Sequence, residues 1–413
     1  MKKILYSILI FLLILLNFST VCADDVDNEA DFENTIEVTA SNVSELPKTN
    51  SRRYIVYDRI SKSMIIGKNE DIKSAMASTT KIMTTIVILE KADLNEKVTV
   101  SAKAGGTGGS RLGLKRGDKA SVRDLLYGLM LRSGNDAAVA LAEHVGGSVK
   151  GFAELMNEKA IELGLTNTHF VTPHGLDDAN HYTTALELAK LTDYAMDNET
   201  FAKIVGTKST TIYINNQSRQ INNTNELLGV LNGVVGVKTG FTNNAGRCLV
   251  TETKRNNMDI ITIVLGADTK KDRTKDSVNL IEYTFSKYKM YNLEERIIEE
   301  FNKWKNINEK RILIIKGKTS NPKLALGAIE KATIPICDND KIEYSINALT
   351  EVEAPVEQWN VMGTLTVKLN GEILENIDIV NVNEVQKRDW QDYFKIVLNT
   401  YGNWKNFIII HWL

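Results

Sequence analysis

The chain has 413 residues, of which 43% are hydrophobic and 25% are charged. That balance is typical of a globular protein, and the length allows two or three domains with cores of their own. The formal net charge of −2, without a basic stripe along the chain, excludes nucleic acid as an expected partner.

The first residues have the pattern of an export signal. Two lysines precede a mainly apolar run over residues 4–18, and small residues that suit cleavage follow up to Ala23. We predict a signal peptide over 1–23. An uncleaved anchor is the alternative, although the run is shorter than the ~20 residues that a spanning helix needs. The acidic, polar stretch that follows predicts a flexible leader.

After a predicted hairpin over 54–67, the stretch Ala77-Ser78-Thr79-Thr80-Lys81 begins a helix that is apolar on nearly every face. Ser78 and Lys81 are three residues apart, so their side chains lie on one face. A lysine amine can remove the proton of a serine hydroxyl if burial and a nearby cation keep the amine neutral. The same spacing recurs at Ser286 and Ser320, where a solvated surface is the simpler interpretation.

A break between two apolar helices carries a second motif, Ser133-Gly134-Asn135. Ser121 predicts the start of the first helix, and residues 135–145 form the second. The break presents a hydroxyl and an amide that can orient a substrate and relay protons. An ordinary turn with a helix cap is the alternative.

Three histidines, His169, His174 and His181, lie between two further predicted helices. They do not form a His-Glu-x-x-His pattern, so we predict hydrogen-bonded side chains and no metal ion. No cofactor is predicted.

The third motif, Lys238-Thr239-Gly240, continues into Thr242 on a predicted strand beside a hairpin over 247–265. A strand edge with a cation, a hydroxyl and a glycine suits a peptide's terminal carboxylate. The cation also favours the neutral form of a nearby Lys81 amine. Taken singly, Lys-Thr-Gly is a common loop tripeptide.

A helix over 276–288 is predicted to close this region. From about residue 294 the pattern changes to short strands, including an Asn370-Gly371 hairpin turn, which predicts a small β-sandwich.

In the tail, aromatic residues from Trp390 to Trp404 share one helical stripe that suits a membrane surface. A helix docked on its own β domain is the alternative.

Taken together, the motifs resemble those of the low-molecular-mass penicillin-binding proteins, the serine-type D-alanyl-D-alanine carboxypeptidases. The resemblance covers roughly residues 50–290. The matching sequences are Gly108-Gly109-Ser110, Ser133-Gly134-Asn135-Asp136-Ala137, Leu163-Gly164-Leu165, His174-Gly175-Leu176 and Gly236-Val237-Lys238-Thr239-Gly240.

The resemblance implies an α+β fold with a β-lactamase/transpeptidase-like domain, in which a five-stranded antiparallel sheet is flanked by helices, followed by a small all-β sandwich domain. The predicted segments are a signal peptide at 1–23, a flexible leader at 24–50, the carboxypeptidase domain at 51–290, a β domain at 294–385 and an amphipathic membrane-associating tail at 386–413.

The resemblance also implies roles for residues at matching positions. Ser78 would be the acylated nucleophile and Lys81 its base, while Ser133 would relay protons and Asn135 would orient the substrate amide. The implied substrate-binding residues are Lys238, Thr239, Gly240, Thr242 and Arg273. Some relatives carry a second arginine where this chain has Asn223-Thr224.

We therefore predict an exported enzyme at the outer face of the cytoplasmic membrane or in the cell wall. It would remove the terminal D-alanine from peptidoglycan stem pentapeptides through an acyl-serine, and β-lactams would inhibit it covalently. A serine β-lactamase is one alternative, for which Glu226 is the nearest candidate for the deacylating residue. A catalytically idle wall-binding scaffold is the other.

Overall fold

The computed structural model describes residues 45–410, with side chains through residue 400. The predicted signal peptide and most of the predicted leader lie outside these residues. The chain forms two compact units, of which the first ends at Lys287 and the second begins at Tyr288.

The first unit contains two antiparallel sheets. Its strands are β1 (Arg53–Asp58), β2 (Ser63–Lys68), β3 (Lys97–Thr99), β4 (Lys119–Ser121), β5 (Ser209–Ile214), β6 (Gln217–Asn222), β7 (Val234–Thr242), β8 (Gly246–Arg255) and β9 (Met258–Ala267). Five strands form a sheet in the order β2-β1-β9-β8-β7, which confirms the predicted five-stranded arrangement. The other four form a smaller sheet that the sequence analysis did not predict.

Helices pack against the five-stranded sheet and form a cluster around one buried helix. They are α1 (Lys81–Lys91), α2 (Ala102–Gly105), α3 (Val122–Leu131), α4 (Asn135–Gly146), α5 (Val149–Glu162), α6 (Ala185–Met196), α7 (Glu199–Val205) and α8 (Lys270–Lys287). Helix α1 contacts α3, α4, α5, α6 and α7, which explains why its sequence is apolar on nearly every face.

Helix α8 begins earlier than the predicted 276. The Thr269 hydroxyl accepts a hydrogen bond from the Asp272 backbone N–H at 3.0 Å and donates to the Asp272 carboxylate at 2.7 Å. This side-chain pair caps the helix and satisfies its first backbone donors. The first turn therefore forms well before the apolar stretch on which the prediction depended.

The second unit contains eight strands and two helices within the described residues. They are β10 (Tyr288–Asn292), α9 (Leu293–Asn308), β11 (Leu313–Ile315), β12 (Leu324–Leu326), β13 (Thr333–Cys337), β14 (Ile342–Ala348), β15 (Glu351–Glu353), β16 (Val361–Leu369), β17 (Glu372–Asn381) and α10 (Trp390–Ile410). The main sheet has the order β12-β17-β16-β14. At the predicted hairpin turn, Asn370 and Gly371 have φ values of 53° and 89°, as a tight two-residue turn requires.

The sequence analysis did not predict α9, which precedes the strands of this region. Asn292 accepts a hydrogen bond from the Glu295 backbone N–H and caps the helix. Leu293, Ile297 and Phe301 recur at helical spacing and are buried. The all-β region follows this helix.

A buried ionic cluster joins α6 to β8 and β9 in the first unit. The Arg59 guanidinium donates to Glu252 Oε1 at 2.6 Å, to Asp259 Oδ2 at 3.0 Å and to Asp193 Oδ1 at 2.9 Å. The Lys254 ammonium lies 3.2 Å from the same Glu252 and Asp259 oxygens. Burial, with the Asp259 carboxylate beside it, raises the pKa of Glu252 to about 7.

We expect the first unit to lose stability as the pH rises from about 5 to about 8. The usual pKa of a glutamate is 4.5, below the folded value of about 7, so the folded state binds this proton more tightly. The resulting stabilisation is complete below the unfolded pKa and is lost as the pH rises through about 7. The change is on the order of 3 kcal/mol.

Urea unfolding of the wild type and of Glu252→Gln at both pH values measures this effect. The glutamine does not titrate, so its stability should vary less with pH. All five tryptophans lie in the second unit, so their fluorescence follows that unit alone. Circular dichroism follows both units, and a transition that it shows without a change in fluorescence belongs to the first. Equal pH dependence in the two proteins would contradict the assignment.

Candidate active site

Ser78 lies on a 3₁₀ turn, Ala77–Thr80, that leads directly into α1. The sequence analysis expected Ser78 on the helix itself, whereas Lys81 is the first residue of α1. Both side chains are buried. The Lys81 Nζ lies 2.5 Å from the Ser78 Oγ, so the three-residue spacing does bring the amine and the hydroxyl together.

The second motif lies at the turn between α3 and α4, within reach of the same amine. The Lys81 Nζ lies 3.2 Å from the Ser133 Oγ and donates a hydrogen bond to the Asn135 Oδ1 at 2.7 Å. The Asn135 Nδ2 donates to the Gly108 carbonyl at 2.9 Å, which fixes the orientation of the amide. Ser133 adopts a left-handed φ of 57°, which interrupts the helical backbone between α3 and α4. The Ser133 hydroxyl therefore lies at the turn between the two helices. Three predicted residues, Ser78, Ser133 and Asn135, thus converge on the nitrogen of the fourth, Lys81.

The third motif lies on β7, which packs against the Ser78 turn. A Cβ atom at Gly240 would stand 3.0 Å from the Ser78 backbone nitrogen, so glycine permits this close approach. Lys238 and Thr239 are buried beside it. The Lys238 Nζ donates to the Thr239 carbonyl at 2.9 Å, and the Thr239 hydroxyl lies 2.8 Å from that of Thr224.

The other two predicted substrate-binding residues have partners within the protein. The Thr242 hydroxyl donates to Asp177 Oδ1 at 2.6 Å. Arg273 is fully buried on α8, where its guanidinium lies 3.3 Å from Glu226 Oε1. Thr274 also donates to that carboxylate. Glu226 is therefore held against α8.

The loop that contains His174 completes the surroundings of Lys81. The His174 carbonyl accepts a hydrogen bond from the Lys81 Nζ at 3.1 Å. Burial lowers the pKa of the His174 ring to about 3, so the ring is neutral. Sequence reasoning missed this contact because every residue has a backbone carbonyl, so the residue type does not show which carbonyl accepts the bond.

The histidines have hydrogen-bond partners as predicted. The His169 Nδ1 lies 2.6 Å from the Asn180 carbonyl, and the His174 Nδ1 accepts from the Leu176 backbone N–H at 3.2 Å. Among residues 45–410, no group of three or more histidine, cysteine or acidic side chains is arranged to hold a metal ion.

Comparisons with known proteins agree with this geometry. The family model for D-alanyl-D-alanine carboxypeptidases, peptidase S11, matches residues 39–269, which include all three motifs. The carboxypeptidase DacF of Bacillus subtilis is 32% identical over 360 residues, covering 86% of this chain and 90% of that protein. DacC of Escherichia coli is 33% identical over 399 residues, covering 88% and 93%.

Solved structures extend the similarity to three dimensions. Penicillin-binding protein 5 from Haemophilus influenzae has a TM-score of 0.67 and 29% identity, over 83% of this chain and 99% of that one. The Streptomyces K15 DD-transpeptidase has a TM-score of 0.55 and 34% identity, over 59% of this chain and 99% of that one. On its sequence, its fold and its three converging motifs, the chain belongs to the D-alanyl-D-alanine carboxypeptidase family, peptidase S11.

Proposed function

We propose that this serine-type D-alanyl-D-alanine carboxypeptidase cleaves the terminal peptide bond of peptidoglycan stem pentapeptides through an ester to Ser78. The observation that carries the proposal is the position of the Lys81 Nζ. It lies within hydrogen-bonding distance of the Ser78, Ser133 and Asn135 side-chain oxygens.

In the first half-reaction, the Ser78 Oγ attacks the carbonyl carbon of the penultimate D-alanine while its proton passes to the Lys81 amine. The Ser78 backbone N–H, at the start of the turn, supports the oxyanion that forms. The C–N bond then breaks. Ser133, 3.2 Å from the amine, passes the proton to the leaving nitrogen, and D-alanine departs.

In the second half-reaction, water attacks the ester. Lys81 takes a proton from the water, the bond to the Ser78 Oγ breaks, and the serine recovers its proton. Asn135 holds the substrate amide during both steps, since its own amide is fixed between Lys81 and Gly108.

The terminal carboxylate of the substrate binds along β7 in this proposal. The Lys238 charge and the Thr239 and Thr242 hydroxyls supply the contacts, and Gly240 lets the peptide lie close to Ser78.

Mass spectrometry of the mature protein, residues 24–413, with and without benzylpenicillin tests the proposal. We expect a slowly decaying adduct that peptide mapping places on Ser78, and release of D-alanine from a stem pentapeptide. Hydrolysis of the drug without an accumulating adduct would favour the β-lactamase alternative. Intact drug without an adduct would favour the idle scaffold.

We further propose that the protein acts in the cell envelope, with residues 386–413 bound to the outer face of the cytoplasmic membrane. Helix α10 exposes a run of large apolar side chains, namely Trp390, Tyr393, Phe394, Ile396, Val397 and Leu398. Such a surface suits the boundary between headgroups and acyl chains. None of the helices within residues 45–410 has the length and apolar character needed to cross a bilayer.

Deleting residues 389–413 is expected to move the protein from the membrane fraction to the soluble fraction while D-alanine release persists. Replacing Phe394 and Val397 with serine should also move protein from the membrane fraction to the soluble fraction. Both residues are more than half exposed and are therefore available to contact the membrane. Asn399→Ser, on the same helix, is the control. Retention of the truncated protein in the membrane fraction would favour a docked helix.

A further inference from the structure

We propose that His181 is a positioning residue for the reaction: through the Thr80 hydroxyl it fixes the Ala77 carbonyl and, with it, the direction of the Ser78 backbone N–H. The inference rests on the proposed role of that N–H in holding the oxyanion. His181 lies outside the three motifs, and Thr80 occupies one of the two positions between Ser78 and Lys81 to which the sequence analysis assigns no role.

The turn that carries Ser78 is strained. Ala77, which precedes the nucleophile, has a φ of 48°, a left-handed conformation that residues with a side chain rarely adopt. Such a conformation persists only where the surroundings fix it. The contacts that reach Ala77 therefore determine where Ser78 lies.

Three contacts fix Ala77. The Thr80 Oγ1 donates to the Ala77 carbonyl at 2.8 Å. Gly175 lies so close that a Cβ there would stand 1.9 Å from the same carbonyl oxygen, and a Cβ at Gly240 would stand 3.2 Å from the Ala77 Cβ. The two glycines limit movement by contact alone, whereas Thr80 supplies the directed bond.

His181 determines which way the Thr80 proton points. Its Nδ1 accepts a hydrogen bond from the Val171 backbone N–H at 3.0 Å, so that nitrogen carries no proton. Burial lowers the pKa of the ring to about 4, which keeps it neutral. The one ring proton must then be on Nε2, which lies 2.8 Å from the Thr80 Oγ1 and donates to it.

The hydroxyl of Thr80 has a single proton, which is left for the Ala77 carbonyl. The hydrogen bonds therefore run in one direction, from Val171 through His181 and Thr80 to Ala77. If Nε2 were an acceptor instead, it would compete for the Thr80 proton, and the bond to Ala77 would weaken.

The Ala77 carbonyl matters to the reaction because it shares a rigid peptide plane with the Ser78 N–H. Fixing the oxygen on one side of that plane fixes the N–H on the other. The same nitrogen lies beside β7, where the substrate is proposed to bind. Small errors in the direction of an oxyanion donor have large effects on rate.

The test compares variants of the mature protein in the rate of acylation by benzylpenicillin. His181→Phe keeps a ring without a donor, and Thr80→Val keeps the shape without the hydroxyl. Each is expected to slow acylation about 10²-fold. The double variant should be no slower than either single one, because both changes break the same chain of bonds. Thr80→Ser, which restores the hydroxyl, should recover most of the rate.

The matched control is Thr84→Val. The Thr84 hydroxyl is buried on α1, which begins directly after Thr80, and donates to the Pro173 carbonyl at 2.6 Å. It takes no part in the three contacts that fix Ala77. Its acylation rate should stay within about threefold of the wild type. Equal losses in Thr84→Val and Thr80→Val, or additive losses in the double variant, would overturn the proposal.

Amide hydrogen exchange over residues 76–79 gives a readout that does not depend on acylation. We expect faster exchange in His181→Phe and Thr80→Val than in Thr84→Val, and unchanged exchange would overturn the inference. An absence of adduct in the wild type would instead count against the proposed function, so the two failures are distinguishable.

Discussion

Replacing Ser78 with alanine is expected to lower D-alanine release by a factor on the order of 10⁴ or more, because the ester to Ser78 can no longer form. Covalent labelling by benzylpenicillin should disappear as well. The Lys81 amine keeps Ser133, Asn135 and the His174 carbonyl as partners, so the fold should persist. The measurement is D-alanine release from a stem pentapeptide by the purified mature proteins.

The chain supplies its own control for this experiment. Ser286 has the same spacing to Lys289 as Ser78 has to Lys81, but it is exposed and donates to the Tyr283 carbonyl. Ser286→Ala should therefore release D-alanine at the wild-type rate. Equal release by the wild type and Ser78→Ala would show that the mechanism is wrong.

Replacing Lys81 with methionine should slow acylation by a factor on the order of 10³, within the range that a positioned general base contributes. Methionine fills a similar volume but cannot take a proton from Ser78. In a plot of the wild-type acylation rate against pH, one part of the curve reflects titration of the Lys81 amine. That part should be absent from the curve of the variant. Stopped-flow acylation by a chromogenic β-lactam across the pH range measures both effects.

Two controls make the result specific to the amine. Lys91→Met, at the exposed end of the same helix, should leave the rate and its pH profile unchanged. Thermal unfolding of both variants separates chemistry from stability, because the methionine leaves buried oxygens without their donor. A Lys81→Met profile that matches the wild type would rule out Lys81 as the base.

The sequence predicted the central part of the site because its local spacing matches its spatial arrangement. Ser78 and Lys81 lie one turn apart, and the break at Ser133 follows from the interruption of two apolar helices. Their convergence with β7 could not be deduced from spacing and came from the family resemblance. The left-handed Ala77 was not predictable, since two of the three contacts that fix it come from Gly175 and Gly240, which are distant in the sequence.

Other differences have separate physical causes. Helix α9 could have been predicted, because the Asn292 cap and the apolar spacing that follows it are both present in the sequence. The contact of Arg273 with Glu226 could not, because only tertiary packing determines whether an arginine faces a substrate or a carboxylate of its own chain.

The pairing of β1 with β9 bears on how the first unit folds. Arg53 is opposite Leu265 in the register, so the central strand of the larger sheet, β9, pairs with a strand from the other end of that unit. Chains dominated by such non-local pairs fold slowly, because the entropy of closing a long loop must be overcome first. This sheet cannot be completed until the chain is available through residue 267. We have proposed that this protein is exported from the cytoplasm. Slow folding favours export, because a chain in which β1 and β9 have not yet paired remains unfolded and can be translocated.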